Sequence, residues 1–341
     1  MVAAKLKWGI VFTGDNLSLS EIIDYSKKAE SAGADSLWST ELGRDAFVPL
    51  SAIANATSGL RLGTAVATFA RPPMYAETAA MTMAEITNNN FTLGLGTAPP
   101  LWNENWHGLT VDRPVSRMRE YVECIRAMWT ASVEHPVSYS GDIIKLKDYT
   151  RFIDAPYPSI PIYLAAVRQN MLKLSGEIAD GVIANLLNTT EYFENLVLPN
   201  VKLGLEKSGR SLSGFEIATL KVCSVNKDRK KARDLAKHSI AFYSTLPYFD
   251  VVLDPAGFTK EKNLLRRLFL ENDVQGMLSS VTDEMVDKLA LSGTPEDVII
   301  QAKKFEGLID TLILYCPTFA VSPEDSRDNH LAIIDAFKEW N

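Results

Sequence analysis

The sequence predicts an α/β barrel in which eight parallel β-strands alternate with eight α-helices. The first observation is the stretch from Ile160 to Asn185, which reads as a strand, a helix and a second strand with almost nothing between them. Apolar residues occur there first in a short run and then at helical spacing, as in a parallel βαβ unit. The second observation is that similar units precede and follow this stretch along the chain. Eight such units favour a closed barrel.

Four units precede the central stretch. Strands are predicted at residues 8–12, 36–40, 60–68 and 91–96, because each is a compact run rich in apolar and β-branched residues. The first helix begins near Ser20 and stops at Gly33, and the others are predicted at 47–56, 75–86 and 115–129. Three consecutive asparagines, residues 88–90, break the third helix before the fourth strand.

The central stretch supplies the fifth and sixth strands, at residues 162–166 and 181–184, with a helix around Met171, Leu174 and Ile178 between them. Further helices are predicted at 192–207, 230–242 and 324–340. The seventh and eighth strands are predicted at 215–225 and 308–315. An open, doubly wound sheet is the competing fold, because sequence alone does not reveal a reversal of strand order.

Three insertions interrupt the repeating units. A long loop at about residues 97–114 follows the fourth strand, a small hairpin is predicted at about 137–147 before the fifth, and extra helices are predicted at about 247–291 after the seventh. No low-complexity linker or shift in composition marks a boundary, so residues 1–341 are predicted to form a single domain.

Composition narrows the functional classes. The net charge of −7 argues against a nucleic-acid surface, which requires clustered Lys and Arg. No apolar run reaches about 18 residues, which argues against a membrane span, and no basic N-terminal segment is followed by a long apolar one, which argues against a secretion signal. The three cysteines are widely spaced and suggest neither a metal site nor a disulfide framework. We therefore expect a cytoplasmic enzyme with a small-molecule substrate and no bound metal.

Two side chains at predicted strand ends are candidates for proton transfer. Glu41 follows the second strand, where a barrel places its reactive face, and its carboxylate can act as an acid or base; a surface Glu that caps the next segment is the equally weighted alternative. His107 lies on the fourth loop beside Trp106, where an imidazole can move a proton near neutral pH. Anchoring of that loop by hydrogen bonds is the more common explanation for such a histidine.

The turn after the fifth strand, residues 165–169, is where parallel strands place a ligand. Arg71 and Arg168 each follow a strand end and precede a helix, so either guanidinium can add to the backbone N–H groups that bind phosphate. A solvated surface arginine is the common alternative for each. The Gly94 to Thr97 turn lacks the spacing of a dinucleotide fingerprint and is a weak signal for phosphate.

Several segments together resemble a known family. The run from Ala165 to Val182, containing LKLSGEIADGV, resembles the fifth-strand region of the luciferase-like flavin and deazaflavin oxidoreductases. It is similar in particular to their coenzyme F420-dependent branch, which includes methylenetetrahydromethanopterin reductase and F420-dependent glucose-6-phosphate dehydrogenase. The likeness covers nearly the whole chain in order, through GADSLW (33–38), RLGTAV (61–66), RPP (71–73), LGLGT (93–97), WHG (106–108), RP (113–114) and GTPEDV (293–298).

This resemblance implies a set of cofactor-binding positions. The third strand would end in a non-proline cis peptide at Ala65–Val66 against the deazaflavin ring, with Thr68 near the ring or ribityl chain. The turn of Gly96, Thr97 and Ala98 would pass beside the cofactor. The residues expected to hold its phosphate at a helix N-terminus are Ala165, Ala166, Val167, Arg168 and Gln169.

The chain also departs from the family at two positions. Relatives usually carry an acidic residue followed by His after the second strand, where this chain has Glu41 and Leu42. They often carry Gly-Pro after the fifth strand, where Arg168 and Gln169 stand here. The missing histidine argues against the mechanism of the sugar-phosphate dehydrogenases, and Arg168 implies a more cationic anion site.

The function that the resemblance implies is hydride transfer between coenzyme F420 and an unidentified organic substrate, in a homodimer. One alternative is an FMN-dependent monooxygenase on the same barrel. Another is a non-catalytic barrel that binds a deazaflavin or flavin as a carrier or sensor, or that serves as a cofactor-free partner subunit. The proton partners expected in the enzyme are Glu41 and His107.

Overall fold

The computed structural model describes residues 5–13, 17–153 and 160–340 of the chain. Eight parallel strands close into a barrel, and an α-helical layer surrounds it. The strands that form the wall are β1 (Lys7–Phe12), β2 (Ser36–Ser39), β3 (Arg61–Thr64) with its short continuation β4 (Ala67–Thr68), β5 (Phe91–Gly96), β8 (Ile162–Ala166), β9 (Gly181–Ala184), β10 (Glu216–Val225) and β12 (Thr311–Tyr315). The wall closes where β12 pairs with β1, with Thr311 beside Lys7. The predicted (β/α)8 barrel is confirmed.

The helices follow the strands in the predicted order. The N-terminal half contains α1 (Leu19–Ser31), α2 (Val48–Ala54), α3 (Pro73–Ile86), α4 (Pro100–His107) and α5 (Pro114–Trp129), followed by α6 (Gln169–Ile178), α7 (Thr190–Tyr192) and α8 (Leu198–Lys207). The C-terminal half contains α9 (Arg229–Tyr243), α10 (Asp250–Leu253), α11 (Thr259–Leu270), α12 (Val274–Ser280), α13 (Asp283–Leu289), α14 (Pro295–Ala302) and α15 (Pro323–Phe337). Short 3-10 segments lie at Pro247–Phe249 and Lys303–Phe305.

The three insertions contain more regular structure than the sequence predicted. The fourth loop contains α4, and a π-helical turn at Phe193–Val197 separates α7 from α8. The hairpin comprises β6 (Val137–Ser140) and β7 (Lys145–Tyr149). The insertion after β10 contains the expected helices and also a strand that the sequence did not indicate, β11 (Ala290–Gly293), which pairs with the C-terminal half of β10.

The hairpin is fixed to the barrel by one carboxylate. Glu120 on α5 accepts hydrogen bonds from the backbone N–H groups of Asp142, Ile143 and Ile144 at 3.1, 2.8 and 2.7 Å. Burial raises the pKa of Glu120, but these backbone donors outweigh burial and hold the pKa below its ordinary value. The insertion before β8 is therefore anchored through its tight turn.

A charged cluster closes the N-terminal end of the barrel. Arg61 at the start of β3 reaches across the interior to Glu216 at the start of β10, with two N–O distances of 2.7 Å. The Tyr163 and Thr311 hydroxyls also donate to this carboxylate, at 2.8 and 2.6 Å. Burial raises the pKa of Glu216, but its donors outweigh burial and lower the pKa to about 2. We interpret the residues at this N-terminal end as structural, because barrel enzymes have their active sites at the C-terminal end of the strands.

Two glycines let α6 and α8 approach closely. A Cβ on Gly176 would overlap the Val201 carbonyl oxygen and lie 2.9 Å from the Leu205 nitrogen, and a Cβ on Gly204 would lie 2.9 Å from the Glu177 nitrogen. The helices therefore pack backbone against backbone. In the described parts of the chain, no helix is long and apolar enough to cross a membrane.

Candidate active site

Glu41 lies at the C-terminal end of β2 and is held in place through both carboxylate oxygens. The Thr68 backbone N–H donates to its Oε2 at 2.6 Å, and the Arg71 guanidinium forms an ion pair with its Oε1. Its own backbone N–H donates to the Val66 carbonyl at 3.1 Å. A carboxylate accepts about four hydrogen bonds, so Glu41 keeps lone pairs for a ligand. Its assignment as a proton partner, or as a surface Glu that caps the next segment, stays a prediction.

Arg71 joins Glu41 to a second carboxylate. Its Nη2 atom also lies 2.6 Å from Asp45 Oδ2, and its guanidinium sits over the Phe47 ring at 5.3 Å from the centroid. Burial raises the pKa of Asp45, but the hydrogen bonds from Arg71 and from the backbone of Phe47 and Val48 outweigh burial and keep the pKa below its ordinary value. Arg71 is therefore a positioning cation between two carboxylates.

The third strand is interrupted at the residues where the family resemblance placed a ring contact. A cis peptide bond joins Ala65 to Val66 and separates β3 from β4. The half-buried Val66 side chain packs against Gly96 of β5, because a Cβ added to Gly96 would overlap Val66 Cγ2 and lie 3.5 Å from Ala165 Cβ. Val66, Gly96 and Ala165, from three wall segments, therefore form one small apolar floor at the barrel mouth, called the apolar floor below.

The turn after β5 is bound to both of its neighbours. The Phe69 backbone N–H donates to the Gly96 carbonyl at 3.1 Å, and the Asn103 side chain donates to the Thr97 carbonyl at 2.7 Å. Ala98 adopts a positive φ of 54°, a conformation that residues with a Cβ rarely take. Thr97 and Ala98 are half-buried at the mouth, as a position beside a ligand requires.

The turn after β8 ends at the N-terminus of α6, where the side chain of the N-cap residue makes no capping hydrogen bond. Arg168 occupies the cap position and extends its guanidinium to the Pro247 carbonyl at 2.8 Å, which ties this turn to the insertion after α9. The buried Tyr192 hydroxyl donates to the Val167 carbonyl at 2.7 Å. Arg168 and Gln169 are exposed, whereas Ala166 is buried.

His107 is the last residue of α4, followed by Gly108 in the left-handed region, and its side chain is exposed. The helix also carries Trp102 and Trp106, whose rings stack at 4.7 Å. The structure describes no contact between His107 and Glu41. The two residues predicted as proton partners are therefore on the same face of the barrel but are not brought together.

Sequence reasoning missed several polar groups at the mouth. Three buried side-chain atoms at strand ends have no hydrogen-bond partner among the described residues: Thr13 Oγ1 after β1, Thr40 Oγ1 after β2 and Asn188 Oδ1 after β9. Buried polar atoms normally find partners, so these three suit a polar ligand. Thr13 directly follows the first predicted strand and Thr40 ends the second, so both were detectable by the strand-end rule that identified Glu41, whereas Asn188 required the fold.

Comparison with known proteins identifies the family. The sequence profile described as luciferase-like monooxygenase matches residues 7–312. The chain belongs to this family. It is 33% identical over 304 residues to the 5,10-methylenetetrahydromethanopterin reductase of Archaeoglobus fulgidus, covering 86% of this chain and 88% of the relative. The resemblance predicted from the sequence, to the F420-dependent oxidoreductases of this family, is confirmed.

Solved structures share the barrel. The coenzyme F420 dependent tetrahydromethanopterin reductase of Methanopyrus kandleri superimposes with a TM-score of 0.81 at 23% identity, covering 98% of this chain and all of that one. An F420-dependent secondary alcohol dehydrogenase, solved with an F420-acetone adduct, superimposes with a TM-score of 0.75 at 17% identity, covering 98% of this chain and 99% of that one. At these identities the structures establish the fold.

Proposed function

We propose that this protein transfers a hydride between coenzyme F420 and an organic substrate at the C-terminal face of its barrel. The observation that carries the proposal is the apolar floor of Val66, Gly96 and Ala165, flanked by the polar groups of Glu41 and the uncapped start of α6. A planar ring with a phosphate-bearing tail needs these two environments side by side. The proposal is supported by the 33% identity to the 5,10-methylenetetrahydromethanopterin reductase of A. fulgidus and by the barrel shared with the coenzyme F420 dependent reductase of M. kandleri.

The residues at the mouth fit a deazaflavin on structural grounds. Gly96, Ala98 and Ala165 leave the face of a ring unobstructed, and the partnerless oxygens of Thr40 and Asn188 suit its polar edges. The N-terminus of α6 presents backbone N–H groups and a positive dipole end to a phosphate. When bound, the deazaflavin supplies the carbon centre that accepts or gives the hydride.

The chain contributes position and proton control rather than the redox chemistry itself. Thr68 and Arg71 fix the Glu41 carboxylate, and this leaves lone pairs that face a ligand as hydrogen-bond acceptors. We assign Glu41 as the catalytic proton partner or as the group that positions the ring. His107 is the second candidate for the proton partner. The stacked Trp102 and Trp106 on α4 offer a wall for a planar substrate.

The first substrate to test is 5,10-methylenetetrahydromethanopterin, because the A. fulgidus relative is a 5,10-methylenetetrahydromethanopterin reductase. A simple secondary alcohol is the second. Turnover is followed by the change in F420 absorbance. We expect Glu41→Gln to lower turnover by roughly a hundredfold, the smaller end of what a general acid or base contributes.

A matched control distinguishes chemistry from folding. Glu30 also accepts two backbone hydrogen bonds, from Ser58 and Gly59 at 2.8 and 2.7 Å, but lies outside the site. Glu30→Gln should retain turnover. If Glu41→Gln and His107→Ala both turn over as the unaltered enzyme does, the assignment of the proton partner is wrong, even where F420 turnover is observed.

The FMN-dependent monooxygenase remains the competing function. It predicts tight FMN binding and consumption of oxygen in place of F420 turnover. The cytoplasmic location and the homodimer also remain predictions, and sedimentation of the purified protein tests the second of them.

A further inference from the structure

A cavity of about 150 Å³ lies beside β10, away from the apolar floor. Its walls come from the segment after β9, from α13 and β11, and from the 3-10 segment Lys303–Phe305. None of the residues predicted to hold the cofactor lines it. At ~30 Å³ for each water molecule, the space equals about five waters, or one small tetrahedral oxyanion.

Lys221 of β10 lies on the wall of this cavity and is 1% exposed. Its ammonium group donates to the Asn188 carbonyl at 2.6 Å and, more weakly, to the Lys288 carbonyl at 3.4 Å, and it lies 5.2 Å from the centre of the Phe305 ring. Glu191 is the carboxylate that influences it, through space and without a hydrogen bond. A buried cation of this kind normally has a paired anion.

The other charges around Lys221 are mostly paired. Of the lysines that line the cavity, Lys288 pairs with Glu284 at 2.9 Å, so Lys221 and Lys304 are the two lining lysines for which no ion pair is described. The lining carboxylates are Glu191 and Asp287. Both carboxylates already have donors. Asp287 pairs with Arg233 at 2.5 Å. Backbone and threonine hydrogen bonds at the start of α7 hold the pKa of Glu191 below its ordinary value.

We propose that this cavity is a binding site for a small tetrahedral oxyanion, a sulfate or a phosphoryl group, which Lys221 contacts directly. The exposed Lys304 guards the opening and adds a second cation. The Thr189 and Thr190 hydroxyls on the same wall already donate to Glu191, so the two lysines are the donors assigned to the anion. None of the residues assigned to the F420 site lines this cavity, although Lys221 donates to the backbone carbonyl of Asn188.

Binding should depend on pH. Burial lowers the pKa of Lys221 to about 7, and Glu191 opposes this only in part. A bound anion favours the ammonium form, so the complex takes up a proton when the pH lies above that value. Affinity is therefore highest near pH 6, where Lys221 is already protonated, and falls toward pH 8.

The test is calorimetric titration of the full-length protein with sodium sulfate, at ionic strength matched with chloride. Sulfate does not titrate between pH 6 and 8, so the pH dependence reports the protein. We expect saturable binding that Lys221→Met weakens by roughly thirtyfold or more, as truncation of a buried charge partner does. Lys304→Met should weaken binding by roughly two- to fivefold, as for an exposed ion pair.

Lys202→Met is the matched control, because Lys202 is an exposed lysine on α8 that does not line the cavity. It should bind sulfate as the unaltered protein does, and the general stabilising effect of sulfate should be common to all variants. Unchanged binding in Lys221→Met, or no saturable binding at all, overturns the proposal. Should Lys221→Met fail to fold, the proposal stands only if Lys304→Met weakens binding and affinity falls from pH 6 to pH 8.

Discussion

Gly96 gives the sharpest test of the apolar floor. In Gly96→Ala the new methyl group would overlap Val66 Cγ2 and lie 3.3 Å from Val66 Cβ, so the valine must retreat by about 1 Å to restore ordinary carbon–carbon separation. Val66 is β-branched and has few other rotamers. Such overpacking costs about 1–3 kcal/mol. If this cost falls on the complex, F420 binding weakens roughly 5- to 150-fold.

The assay is titration of the purified variants with F420, followed by fluorescence, alongside thermal unfolding. Val66→Ala is the second substitution in this test, because it removes the Val66 methyl group that would overlap the new methyl group of Gly96→Ala. Val66→Ala alone should weaken binding by removing part of the floor. Added to Gly96→Ala it should restore binding, because the clash is gone.

Val66→Ala is therefore expected to weaken F420 binding in the unaltered protein and to strengthen it in Gly96→Ala. Opposite effects of one substitution in the two proteins indicate that residues 66 and 96 are in direct contact. Wild-type affinity in Gly96→Ala would refute the placement of the ring over Gly96. The same conclusion would follow if the double variant bound F420 no better than Gly96→Ala.

Two predictions concern the framework that holds the site. Glu216→Gln should lower the free energy of unfolding by about 3 kcal/mol at pH 7, because the pKa of this carboxyl is about 2 in the folded protein against an ordinary 4.5. Because the pKa of Glu216 is lower in the folded protein, its carboxylate stabilises the fold above pH 4.5, and this stabilisation is lost as the pH falls toward 2. Denaturant titrations should therefore show that the free energies of unfolding of the unaltered protein and of Glu216→Gln converge in acid. Gly176→Ala should destabilise by about 1–3 kcal/mol, because its methyl group overlaps the Val201 carbonyl oxygen. Gly59→Ala is its control, since that methyl group would meet only an oxygen at 3.7 Å; equal melting temperatures for the two variants would contradict the packing argument.

The barrel was predictable because its repeating units are local. Residues 162–166 and 181–184 are buried strands in the structure with the predicted bounds, since a parallel strand buried on both faces is a nearly continuous apolar run. The prediction of one continuous third strand at residues 60–68 was wrong, because composition does not reveal the break at Ala65–Val66. The family resemblance did locate that cis peptide.

The contacts within the candidate site could not be predicted in the same way. The strand-end rule found Glu41, but its pairing with Arg71 joins residues thirty positions apart on two loops, and only the closed wall brings them together. Arg168 was expected to add charge to an anion site, which stays a prediction, and the sequence did not reveal that its guanidinium reaches the Pro247 carbonyl. β11 was missed because four residues after a helix that include Ser and Gly are equally typical of a loop.

Cofactor choice tests the central claim most directly. Purified protein is titrated in parallel with F420 and with FMN, and binding is followed by fluorescence and absorbance. We expect saturable binding of F420, weakened in Gly96→Ala, and no tight binding of FMN. Tight FMN binding without F420 binding would contradict the proposed function and favour the monooxygenase.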